Sequence, residues 1–235
     1  MEVLPVQVRD VIKDYRGLRP LRLQQFDLRI GESISLLGFD QASAEVLVNL
    51  LTGAILPDSG TITVFGQQTS TIPDAESWVH TLDQFGLISE RAVMLDQLTT
   101  EQNLAMPLSL HIETMPADLR QRVQALAAEV GLSSAELASQ VRSLEPLGRQ
   151  RLRLGRALAL DPRVLLAEHP NAPLSGADTR SFATVFRKVA TDRGIASLVL
   201  TADQDFGSAI SSQVLTLQPA TGLLKASSAW RRWLT

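Results

Sequence analysis

The sequence predicts an α/β fold in which helices wrap a mainly parallel sheet. Three observations predict it. Short, uniformly apolar runs such as Ile34 to Leu37 and "RVLLAE" suit strands covered on both faces. Segments with helical spacing alternate with those runs along the chain. One apolar run also passes through Gly38 into an apolar helix that stops at Gly53, giving the order strand, glycine loop, helix.

Taken in order, "VQVRDVIKDY" alternates apolar and polar residues and reads as an edge strand. "LRLQQFDLRIGESISLLG" reads as two strands divided by a turn at Gly31-Glu32. Ala44 to Leu51 follows as a helix, with Gly53 as its C′ residue. "LPDSGTITVFGQ" is a turn and a strand, residues 74–84 are helical, and "FGLIS" is a short buried strand. From about residue 98 to 141 three helical segments follow one another: "TTEQNLAMPLSL", "PADLRQRVQALAAEVG" and "SSAELASQVRSL". In the second of them Leu119, Val123, Leu126 and Val130 recur at helical spacing. "RLRLGRALALDP" is a helix, "RVLLAE" a strand, "DTRSFATVFRKVATDRG" a helix, "ASLVLTAD" a strand and "QVLTLQPATGLLK" a hairpin.

Composition narrows the function. A chain of 235 residues fits one large domain that buries roughly 70–75% of its unfolded surface. The net charge of −3 argues against an electrostatic grip on nucleic acid. The absence of cysteine excludes disulfides and thiolate chemistry. The start "MEVLPVQVRD" has no secretion signal, and no apolar run reaches the ~20 residues of a membrane span. The expected location is therefore the cytoplasm, with membrane contact only through a partner. His80 and His111 have no ligand-spaced companions, so no metal site is expected from them. Trp230 and Trp233 lie on one helical face of "AWRRWLT", which suits packing on the chain's own body or docking to a partner.

The segment "LGRQRLRLGRALALDPRVLLAEHPNAPL", residues 147–174, carries the most specific pattern. Gln150, Arg151, Arg156, Ala157 and Leu158, then Asp161-Pro162, an apolar strand and Pro170 match one family's pattern Q-R-x-x-x-A-R-A-L, Asp-Pro, strand, Asp-Glu-Pro at those positions. With "LLTGAILPDSGTITVFGQ" and "LTTEQNLAMPL", the chain resembles the nucleotide-binding subunit of ATP-binding cassette (ABC) transporters along nearly its whole length. The resemblance implies a P-loop NTPase fold of the cassette type over residues 1–235. It adds an N-terminal antiparallel β subdomain and an inserted helical subdomain at about 91–145.

The resemblance also places the family's working residues, and most of them differ here. A phosphate-binding loop reads G-x-x-x-x-G-K-[ST]; its lysine reaches the phosphates and its hydroxyl holds Mg²⁺. Counted from Gly38, the second glycine is Ser43, the lysine Ala44 and the hydroxyl Glu45. A carboxylate there repels a polyanion by about 1 kcal/mol in water and about 4 in a partly buried site. Glu45, with Asp40, is instead expected to take the electrostatic place of phosphate in the first helical turn. The family's serine-glycine-glycine signature is replaced by Glu145, Pro146 and Leu147, where Pro146 suits a plain helix start. Glu168 stands at the Mg²⁺-associated aspartate and His169 at the catalytic glutamate. His169 reads either as a base able to take a proton from water or as a polar strand-end residue. Glu90 takes the place of the Q-loop glutamine, Ala202 that of the switch histidine and Ser175 that of the D-loop aspartate. Tyr15 stands where the family stacks an aromatic ring on adenine, and it reads equally as a packed strand-end residue.

The charge, the γ-phosphate contacts and the base are altered together. The expected function is thus a cassette subunit defective in ATP binding and hydrolysis, acting as a structural or regulatory partner of a permease or of a complete cassette subunit. No cofactor is expected, with ATP and Mg²⁺ as ligands if the site survives. The rival readings are a slow transporter ATPase using Glu168, His169 and Tyr15, and a soluble interaction module that has left transport.

Overall fold

Alternating residues build one sheet and uniformly apolar runs build the other. In the computed structural model, which describes residues 3–226, the first three strands are β1 (Val6–Lys13), β2 (Leu21–Leu28) and β3 (Ser33–Leu37). β1 and β2 join β4 (Ser59–Val64) and β5 (Gln67–Gln68) in an antiparallel sheet of order β2-β1-β4-β5. β1 is therefore an interior strand and not the edge expected from its alternation. Alternation reports which face is buried; it is silent on which edges are paired.

The second sheet holds β6 (Phe85–Ile88), β7 (Val164–Glu168), β8 (Ala196–Leu200), β9 (Gln213–Gln218) and β10 (Leu223–Ala226) beside β3. Its order is β10-β9-β3-β8-β7-β6, parallel except for the β9–β10 hairpin. Every residue of β7 and β8 is buried, as the uniformly apolar runs require.

The helices follow the expected order, with shifted ends. α1 spans Gln41–Leu51, three residues earlier than expected, because Asp40 caps it. Thr52 closes it, and Gly53 beyond takes a φ of +70°. α2 is Ala75–Leu82. α3 (Thr100–Ala105), α4 (Ala117–Glu129) and α5 (Ser134–Ala138) form the helical stretch, α3 and α5 each starting in a capping box. Val123, Leu126 and Val130 are buried in its core, with Leu119 partly buried against them. α6 covers Pro146–Leu158 and so begins ahead of the expected "RLRL". α7 (Gly176–Arg193) ends at Gly194, and α8 (Gln204–Ile210) is an additional short helix capped by Asp203. At Gly86 a side chain would collide with the carbonyl oxygen of Ala157, so glycine lets β6 and α6 lie against each other. That contact brings the end of β6 beside α6. Trp230 and Trp233 lie outside the described residues.

Candidate functional site

β3 leaves its sheet at Gly38, whose φ of +89° sets the loop into α1. A side chain there would also crowd the Leu217 carbonyl oxygen at 3.0 Å. Two residues on, the Asp40 carboxylate turns back over the start of the helix. Its Oδ1 accepts from the Ser43 backbone N–H at 2.8 Å and from Ser43 Oγ at 2.5 Å. The Ser43 hydroxyl first and its N–H second hold the Asp40 carboxyl below the usual carboxylate range, with a smaller contribution from His169. Ala44 is fully buried in the core. Glu45 corrects an expectation: it is the fifth residue of α1, outside the first turn, and does not act on the helix dipole with Asp40. The side chain at the helix N-terminus is Asp40 alone.

Glu45 faces a second cluster. At the end of β7 the buried Glu168 carboxylate accepts Ser89 Oγ at 2.5 Å and Arg91 Nε at 3.2 Å on Oε2. Its Oε1 accepts Arg91 Nη2, which completes a two-pronged ion pair. Ser89 Oγ also accepts the Arg91 backbone N–H at 3.1 Å, so one hydroxyl positions both partners. Arg91 Nη1 donates to Asn49 Oδ1 at 3.3 Å, and Arg91 Nε lies 3.8 Å from Glu45 Oε1. Glu168 first raises the Arg91 pKa through hydrogen bonding, and Glu45 adds its negative charge. The group borders a cavity of about 280 Å³ floored by Val48, Trp78 and Leu166.

Glu90, at the position that the resemblance gives to the Q-loop glutamine, is held by α6. Its carboxylate accepts Gln150 Nε2 at 3.0 Å and Arg153 Nη2 at 2.7 Å, both from α6. Successive residues at the end of β6 thus point opposite ways, Glu90 to α6 and Arg91 to the β7 carboxylate. Arg91, Ser89 and Asn49 were not singled out in the sequence. The one signal was a charged residue directly after a buried strand, and that pattern also describes any solvated loop.

His169 follows Glu168 with a φ of +43°. Its N–H donates to the Leu200 carbonyl at 2.8 Å, while the buried Nε2 has no hydrogen-bond partner among the described residues. A left-handed residue other than glycine costs about 1–3 kcal/mol, which this backbone bond helps to hold. Ala202 is exposed, in a turn fixed by Thr201 Oγ1 donating to Asn171 Oδ1 at 2.9 Å. Ser175 is the N-cap of α7 and makes no capping hydrogen bond with its side chain. Glu145 is the N-cap of α6 and Pro146 its first residue, so this segment is a plain helix start.

Tyr15, Asp40 and Ser43 share a separate cleft of about 630 Å³ with Arg19 and Arg22. The Tyr15 ring lies across Gly17, where a Cβ would stand 2.6 Å from the ring, and its body packs against the core. Burial and the Asp40 charge raise its pKa. The structure brings Tyr15 together with Gly38, Asp40 and Ser43, and Glu168 together with Arg91, with His169 near Asp40. It takes Glu90 away from both groups.

These donors do not fit Mg·ATP. The helix N-terminus that receives phosphate in such a loop is capped by Asp40, no lysine is present at position 44, and two carboxylates, Glu45 and Glu168, face one guanidinium. Among the described residues no group of three or more His, Asp or Glu is arranged to hold a metal ion, and no helix is long and apolar enough to cross a membrane.

Comparison with known proteins shows the family of the chain. A family model described as "ABC transporter" matches residues 21–172. The chain is 29% identical over 178 residues to the ABC transporter ATP-binding protein YtrE of Bacillus subtilis, covering 76% of each. It is 30% identical over 217 residues to the methionine import ATP-binding protein MetN of Nocardia farcinica, covering 90% of this chain and 64% of that one. It spans 53% of the sulfate/thiosulfate import ATP-binding protein CysA of Mycolicibacterium paratuberculosis, at 26% identity. Among solved structures, cbiO1 of Clostridium perfringens, part of the complex cbiONQ, superposes with a TM-score of 0.81 over 95% of this chain and 88% of that one, at 17% identity. The dimeric cassette MJ0796 superposes at 0.77 over 94% of this chain and 98% of that one, also at 17%.

Proposed function

The chain belongs to the ABC transporter family and corresponds to its nucleotide-binding subunit, and on that premise we propose that it neither binds nor hydrolyses ATP and serves as a structural or regulatory partner. The observation that carries this reading is Asp40. Its carboxylate accepts the Ser43 N–H and hydroxyl at the start of α1, where the loop of a working relative presents donors to phosphate. A triphosphate arriving there meets a fixed negative charge and a capped donor. The buried methyl of Ala44 supplies no charge to offset it.

The proposed partners are a membrane permease and a second cassette subunit. The coupling-region likeness of "LTTEQNLAMPL" supports the first, and the dimeric form of a structural relative supports the second. Such partners would hold the protein at the inner face of the membrane.

Two measurements test the reading. Mg·ATP at millimolar concentration is expected to leave the melting temperature unchanged. A ligand at a hundred times its Kd stabilises by about 2.7 kcal/mol, a shift of several degrees for a chain of this size. ATP turnover by the purified protein is expected to equal a blank, with His169→Ala no different. A saturable shift, or a turnover that His169→Ala abolishes, overturns the proposal, the second outcome in favour of the slow ATPase.

A further inference from the structure

Arg91 stands at the meeting point of two motif positions that serve the metal ion in working P-loop ATPases. There the loop hydroxyl and the carboxylate at the end of the buried strand hold Mg²⁺ between them. In this chain those positions are Glu45 and Glu168. Both are carboxylates, and two facing carboxylates with no cation between them repel. The guanidinium of Arg91 lies between them, forked onto Glu168 and 3.8 Å from Glu45. We propose that Arg91 is a resident substitute for the metal ion, a covalently tethered cation that keeps the Glu45–Glu168 pair assembled without Mg²⁺ or nucleotide.

The surroundings support a built arrangement. The Glu168 side chain is 1% exposed, so its charge requires a partner inside the protein. Ser89 donates to Glu168 while accepting the Arg91 N–H, which fixes the arginine at the strand end. Asn49, on the same helix as Glu45, accepts from the remaining arm of the guanidinium. A guanidinium is always charged and directional, so it cannot be diluted away or chelated as a free ion can. The change from hydroxyl to Glu45 then has a reason: a second carboxylate suits a fixed guanidinium that carries no phosphate with it. The inference rests on the family reading above, and it explains how the β7 carboxylate is kept buried in a cassette that does not load metal.

The test compares wild type, Arg91→Ala and Arg91→Ala/Glu168→Gln, with Mn²⁺ as the probe, read by its paramagnetic signal and by melting. Wild type is expected to bind no Mn²⁺ saturably at millimolar concentration. In metal-free buffer Arg91→Ala is expected to melt about 5–10 °C lower, since it leaves a buried carboxylate unpaired. It is also expected to acquire one saturable Mn²⁺ site that recovers most of the loss, and Glu168→Gln is expected to remove that site. If Arg91→Ala does not fold in metal-free buffer, refolding with MnCl₂ against NaCl of equal ionic strength reads the same property. Glu168-dependent Mn²⁺ binding by wild type overturns the proposal. So does an Arg91→Ala protein that is destabilised yet neither binds Mn²⁺ nor refolds with it, because Arg91 is then an ordinary ion pair. ATP binding by wild type in EDTA would overturn the nucleotide-deficient reading and leave this one standing, because the two use different probes.

Discussion

At the scale of single residues, the site is decided by which carboxylate reaches which donor. Asp40 is a helix cap, so Asp40→Ala is expected to cost about 1 kcal/mol, a drop of roughly 2–4 °C in melting temperature. Its charge adds a pH dependence whose sign can be worked out. The folded carboxyl is held below its ordinary value of about 3.9, by Ser43 first. Its contribution is therefore present above that value and is lost as pH falls through the folded one. Asp40→Asn keeps a capping oxygen without the charge. The stability gap between wild type and Asp40→Asn is expected to be open at pH 7 and smaller at a pH below the ordinary carboxyl value, measured by urea midpoints. A gap of the same size at both values would show that the charge does not contribute. Glu45, although it lies in the same motif, is not part of this effect, because it stands a turn deeper and faces Arg91.

At the scale of elements, the end of β6 staples two blocks. Glu90 ties it to α6, and Arg91 ties it to the end of β7. Arg153 is buried, which lowers its pKa, and its Nε has no hydrogen-bond partner among the described residues. Glu90 is the anion facing its free end. Removing Glu90 leaves that guanidinium in a partly dry place, at a cost of about 1–3 kcal/mol. Glu90→Ala is expected to speed amide exchange in α3 to α6 while leaving β1, β2 and β4 unchanged. Uniform acceleration across both sheets would show instead that Glu90 supports the whole domain and does not act as a clamp on the helices.

At the scale of the whole molecule, the proposed pairing has a consequence for both composite sites. The family resemblance implies that each site combines the loop of one subunit with the signature of the other. One site of a mixed pair would carry Ala44 and the Asp40 cap. The other would receive Glu145, Pro146 and Leu147, a carboxylate, a residue with no N–H and an apolar side chain at the helix start. A mixture with a complete cassette subunit encoded beside it is expected to show no ATPase stimulation beyond the partner alone. Stimulation that disappears when Glu145-Pro146-Leu147 is replaced by Ser-Gly-Gly would make the altered signature a working part, and the structural role would have to be abandoned.

Much of this protein could be read before any coordinates. Uniformly apolar runs such as Val164 to Ala167 are too short for a helix and alternate with helical segments, so the parallel sheet was legible in the sequence. The ordered matches from Gln150 to Pro170 carried the family, and Gly38 and Gly53 bracketed α1 through their backbone freedom. The losses at Ala44 and Ala202 were also legible, since an absent side chain is absent in any fold. What the sequence left open were contacts between residues far apart in the chain. Arg91 and Glu168 are separated by 77 positions, and Glu90 and Arg153 by 63. A charge after a strand carries no mark of its partner, so neither the hold of α6 on Glu90 nor the ion pair of Arg91 is legible in the sequence. The edge position expected for β1 fails for the same reason, because its pairing depends on the distant β4. Only the tertiary structure decided that Arg91 neutralises Glu168 and that Glu90 faces Arg153. Local sequence sets which groups must be satisfied, and the packing of distant elements selects the groups that satisfy them.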